Sequence, residues 1–253
     1  MTRATLSASP ATKQPGYHMI GRVVLAVLLA GIAAGLIMGA IQHVRLTPLI
    51  LEAETYETGG HSHDHAEGAA SVAEEHTHSA EDWAPADGWQ RTLATTVTQA
   101  MAGAAFAAIL AGISLLTGLP ITRENGVIWG LCGFLAATVA PAAGLPPELP
   151  GMPAGDLLAR QVWWVGTIAA TAAALYLIAT RRETWALALA IVLIGLPHII
   201  GAPAPVTHES AVPPNLAATF AANAIAANAI FWSLIGIFLG LAINRYAKDA
   251  YAT

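Results

Sequence analysis

Residues 23–42 read VVLAVLLAGIAAGLIMGAIQ, twenty positions without a single Asp, Glu, Lys or Arg. As an α-helix rising 1.5 Å per residue, such a run covers the roughly 30 Å hydrocarbon core of a bilayer, where an ionised side chain costs at least about 2.5 kcal/mol. Comparable windows recur at about 93–116, 126–143, 161–179, 185–200 and 216–243. They predict an all-α polytopic membrane bundle of about six transmembrane helices. The fifth window is short and the sixth long, so a re-entrant fifth or a tilted sixth segment fits the pattern. The first window exceeds the 7 to 15 apolar residues of a signal-peptide core, and no small-x-small cleavage site closes it before Gln42, so it is read as a retained anchor.

Composition agrees. The chain of 253 residues is 55% hydrophobic and 11% charged with a mean hydropathy of +0.57, against roughly 25% charged in an ordinary soluble domain. Its 23 glycines suit helices that approach closely in lipid. Gly31, Gly35 and Gly39 share one helix face at four-residue spacing, and Gly236 with Gly240 repeats the pattern in the last window. Cys132 is the one cysteine, so disulfides and Cys-based zinc sites within one chain are excluded, and the residue reads as small core packing. No basic stripe or aromatic platform points to nucleic acid. No phosphate loop, HExxH or GxSxG motif is present, and no paired acid and base lies within the windows, so the chain is not expected to be an enzyme.

Lysine and arginine set the orientation. With both termini in the cytoplasm, inner segments hold Arg3, Lys13, Arg22, Arg123, Arg181, Arg182, Arg245 and Lys248, and outer segments only Arg45, Arg91 and Arg160. The resulting plan is a cytoplasmic tail over 1–17, a first transmembrane helix over 18–42 and an extracytoplasmic His- and acid-rich loop over 43–92. Five further spans within 93–246 and a cytoplasmic tail over 247–253 complete it. Segments 144–160 and 201–215 also fall outside, so the conspicuous polar features share one side of the membrane.

The outer loop carries the chemistry. GGHSHDHAEGAASVAEEHTH, residues 59–78, holds five of the nine histidines, and ten of the sixteen acidic residues lie between Glu52 and Asp87. In an extended chain alternate residues project to one side, so His61, His63 and His65 converge on one ion beside Asp64, and His76 with His78 repeats the arrangement. Neutral imidazoles suit divalent Co, Ni, Zn and Cu, and a Gly/Ala/Ser background has no core of its own, so the loop is expected to be disordered until it binds. A merely solubilising loop would gain little from His, which is mostly uncharged at neutral pH.

His43 ends the first helix, His198 ends the fifth, and His208 adjoins Glu209 in the last outer loop, so these four are expected to form a second, ordered metal site. Pro197 cannot donate to the carbonyl of Leu193, which leaves that oxygen free beside His198. His18 reads as an interfacial residue. Asn223 and Asn228 are expected to hydrogen-bond between helices, with a place beside Gln99 along a permeation path as the other reading.

Three stretches resemble the CbtA family of proposed cobalt transporter subunits: GAIQHVRLTPLILEAETYE leaving the first helix, APAAGLPPELPGMPAGDLLARQVWWVGTIAATA between the third and fourth, and LPHIIGAPAP closing the fifth. The similarity runs from about residue 18 to 246. It implies a bacterial inner-membrane protein that takes up cobalt together with a small single-span CbtB-like subunit; by their ligand chemistry the histidines leave nickel or zinc as the other candidates. The His-rich loop reads as a local elaboration. Two functions follow. One is a transporter whose loop gathers cations that pass between the helices. The other is a membrane-anchored metal-binding accessory, buffer or sensor that conducts nothing. A homo-oligomer in the lipid bilayer is compatible with both.

Overall fold

The computed structural model describes residues 15–59, 85–86, 88–207 and 209–246, and these residues are helical with connecting turns. In chain order the helices are α1 (Pro15–Arg45), α2 (Thr47–Gly59), α3 (Trp89–Thr117), α4 (Gly126–Ala142), α5 (Leu157–Thr180), α6 (Thr184–Ile200) and α7 (Pro214–Tyr246). Local chemistry sets their ends. Gly118, at φ 69°, stops α3 in the left-handed conformation that costs glycine least. Thr122 and Asn125 exchange side-chain to backbone hydrogen bonds of 2.7 and 3.3 Å ahead of α4, and Asp156 caps α5 by accepting from the Ala159 amide at 2.8 Å.

α1, α3, α5 and α7 are long and apolar enough to cross a membrane, whereas α4 and α6 are shorter apolar helices. The two short ones have 17 residues each, about 25 Å of helix. All six charge-free windows are therefore helices. Four of them have full spanning length.

Packing begins where side chains are absent. A Cβ on Gly35 would fall 2.1 Å from the Gln99 carbonyl oxygen, and one on Gly31 2.2 Å from that of Gly103, so α1 and α3 meet backbone to backbone. The same occurs between α4 and α7, where a Cβ on Gly236 would lie 2.1 Å from the oxygen of Gly126. Without a hydrophobic drive between helices in lipid, such close approach supplies the dispersion that holds them. α1 also packs along α7, giving the order α3, α1, α7, α4. Met38, Leu110, Phe231, Trp232, Ile235 and Leu239 fill the core between them, with the Phe106 ring 4.9 Å from that of Trp232.

The π segment Leu135–Val139 interrupts α4. Pro141 has no N–H and its ring crowds the carbonyl four residues back, so the chain widens by one residue before it. The N-terminal half of α4 thereby packs on α7 and the C-terminal half on α5. α5 and α6 form a hairpin whose buried faces carry Thr167, Thr171 and Ala174 on one side and Ala186, Ala190 and Pro197 on the other. The Trp163 indole donates across it to the Pro197 carbonyl at 3.0 Å.

Two expectations change. The stretch 43–92 is not loop from its start: α1 continues to Arg45, and residues 47–59 form α2. Glu52, Glu54 and Glu57 hide this helix from a search for charge-free windows, although Leu49, Ile50, Ala53 and Tyr56 give it an apolar face. Asn223 and Asn228 do not bond between helices through their amide nitrogens. Each donates to its own helix, to the carbonyls of Thr219 at 2.8 Å and Ala224 at 2.9 Å.

Candidate functional site

The three segments expected on one side of the membrane meet at one end of the bundle. Ala53 of α2, with no exposure, packs with Leu149 from the α4–α5 connection, Val212 from the α6–α7 connection and Leu216 at the start of α7. The opposite end is marked by Thr122, whose carbonyl lies against Gly240 near the C-terminus of α7. Charge at the first end is locally neutralised: Arg91 forms a two-pronged pair with Glu54, tying α3 to α2, and Arg160 meets Glu148 at 2.5 Å.

His43 occupies this end on α1 and lines a cleft of ≈ 130 Å³ with Gly39, Thr47, Arg91 and Thr92. Its Nδ1 lies 3.4 Å from the Thr92 hydroxyl, which itself donates to the Gly88 carbonyl at 3.0 Å. A neutral imidazole that engages one ring nitrogen in a hydrogen bond keeps the other within reach of a metal. Below it, the Gln99 side-chain Nε2 donates to the Gln42 side-chain Oε1, a polar tie between α1 and α3.

A second cleft, of ≈ 260 Å³, opens between α2 and the first turns of α7 and is lined by Glu52, Tyr56, Asn215 and Thr219 among others. Neither cleft includes Asn223, Asn228 or Gln99.

His198 is exposed at the end of α6, its ring edge-on to Trp163 at 5.8 Å between centroids. Glu209 is exposed in the α6–α7 connection. In packing order α7, α4 and α5 lie between α1 and α6, so the structure does not bring His43 and His198 together. Among the described residues no group of three or more His, Cys, Asp and Glu can hold a metal ion. His61, His63, His65, His76, His78 and His208 lie outside the described residues, so both the loop site and the histidine partner of Glu209 do too. Cys132 is half-buried in α4, away from this end.

Sequence reading missed the partners. Thr92, Glu54 and Trp163 act here through contacts made across 49, 37 and 34 positions. A Trp at the seventh position of a helix that follows a Pro-rich loop was the one available signal.

This architecture, apolar helices of spanning length with backbone-level crossings and polar clefts at one end, is that of a polytopic α-helical integral membrane protein. Residues 20–244 match the family described as "Probable cobalt transporter subunit (CbtA)", and the chain belongs to that family. No curated protein and no solved structure matches it.

Proposed function

We propose that this protein is the inner-membrane subunit of a divalent transition-metal uptake transporter with cobalt as its favoured substrate. The observation that carries the reading is membership of a cobalt transporter subunit family across residues 20–244. The five loop histidines His61, His63, His65, His76 and His78 capture the ion outside, and the negative charge around them raises its local concentration. His43, in its cleft at the α2 end of the bundle, is the described histidine we assign to receive it. His198 and the pair His208 and Glu209 offer further contacts along the same end.

In this reading α4 and α6 also cross, giving six spans with both termini in the cytoplasm. Two features support it: α2, Leu149 and Val212 gather at one end, and Thr122 lies beside Gly240 at the other. The word "subunit" in the family description implies a partner, which we take to be a small single-span CbtB-like protein. The accessory reading, a membrane-anchored metal buffer, gains one observation: the described spans hold no His, Asp or Glu in mid-helix.

The test is accumulation of radioactive cobalt by cells at limiting concentration. The protein should raise it, and changing all five loop histidines to Ala should remove most of the gain while leaving the membrane-inserted protein level unchanged. Equal accumulation by the variant would remove the loop from the mechanism. In a Cys132→Ala background, Ala70→Cys should react with an impermeant thiol reagent on intact cells; reaction only after permeabilisation would invert the topology.

A further inference from the structure

The face of α7 turned away from the bundle has its own pattern. Thr219, Asn223, Ala226, Ile230, Ser233 and Ile237 follow one another at spacings of four, three, four, three and four. Ile230 and Ile237 are 49% and 40% exposed, Thr219 and Ala226 are exposed, and Asn223 and Ser233 are half-buried. The opposite face, with Ala224, Ala227, Phe231, Ile235 and Leu239, supplies the core. That spacing suits the seam of a left-handed two-helix coil.

We infer that this seam binds a second copy of the chain, α7 against α7, about a two-fold axis along the membrane normal. Such an axis keeps the topology of both copies, so the helices run parallel and like residues meet at the same depth. Asn223, Ile230 and Ile237 then take the a positions, with β-branched residues where a parallel pair favours them, and Thr219, Ala226 and Ser233 take the d positions, small enough for close approach.

Asn223 selects the occupant. It sits nine residues into α7, about 14 Å along the helix. One amide hydrogen goes to the Thr219 carbonyl at 2.8 Å, which leaves the second N–H and the carbonyl oxygen. Two Asn223 side chains across the axis satisfy each other reciprocally, because a carboxamide is its own complement. A lipid-facing amide has no such partner. Asn215 and Thr219 also line the second cleft, so the dimer sets the Glu52 clefts of both copies side by side at the axis. The inference rests on α7 lying in the membrane and is independent of the metal carried.

The full chain with Cys132→Ala, made without any other subunit and reconstituted in phosphatidylcholine vesicles, tests it by oxidative cross-linking. Ala226→Cys, Ile230→Cys, Ser233→Cys and Ile237→Cys should each give a product of twice the chain mass, whereas Leu116→Cys and Val162→Cys, exposed by 90% and 65% on other helices, should not. In the unmodified chain, Asn223→Val should weaken self-association measured by sedimentation between about threefold and thirtyfold, and Asn223→Gln should restore part of it. Seam cysteines that cross-link no better than the controls, a wild-type chain that sediments as a monomer, or cross-links formed only to a co-expressed single-span protein would overturn it.

Discussion

The two glycine crossings and the α5–α6 hairpin solve the same problem differently. Between α1 and α3, and between α4 and α7, carbonyl oxygens occupy the space a methyl group would need. In the hairpin, Thr167, Thr171 and Ala174 are buried on α5 and Ala186, Ala190 and Pro197 on α6, and one indole hydrogen bond ties the two helices. The Thr171 hydroxyl is buried there without a partner, an unmet group that the crossings do not carry. The first arrangement tolerates no added atom; the second leaves room for adjustment, and it joins the rest of the bundle through the C-terminal half of α4, just past a π segment. The crossings therefore have the least room for an added side chain, and the hairpin has more.

Substitutions that discriminate the two regions should rank accordingly. Gly35→Leu places side-chain atoms where the Gln99 carbonyl lies and should cost about 3 kcal/mol or more. That corresponds to a fall of roughly 10 °C in detergent melting temperature. Gly236→Leu should match it through Gly126; unchanged melting in either variant would contradict the backbone-contact account. Trp163→Phe keeps the ring beside His198 but loses the donor to Pro197, and should cost about 1 kcal/mol, with faster hydrogen exchange confined to α5 and α6. Glu54→Gln, which weakens the partly exposed pair with Arg91, should cost less than about 1 kcal/mol and speed exchange in α2 alone. Gly166→Leu, with nothing within 4 Å of the added Cβ, should stay within about 0.5 kcal/mol of the parent. A large effect there would mean that the hairpin's outer face is covered.

Much of this fold was legible because lipid imposes a single strong rule. Each of the six charge-free windows is a helix, and Gly31, Gly35, Gly236 and Gly240 lie at crossings as their spacing implies. What stayed hidden was whatever charge or distance disguised. α2 was missed because Glu52, Glu54 and Glu57 interrupt it and its apolar face makes sense only against Leu149 and Val212, far along the chain. The Asn223 and Asn228 amides return to their own backbone, an option that spacing alone does not distinguish from a bond between helices. Of the site, position along the bundle axis was readable and position across it was not. His43 and His198 were both assigned to the outer end of a helix, and the order in which helices pack sets them apart.

The most direct test is uptake of radioactive cobalt, with nickel in parallel, into proteoliposomes holding the full chain with and without the proposed small single-span partner and with the His-rich segment intact. The transporter reading predicts saturable accumulation in the lumen that favours cobalt. Metal held on the outside with none in the lumen, in either preparation, would contradict it and leave a metal-capturing accessory protein.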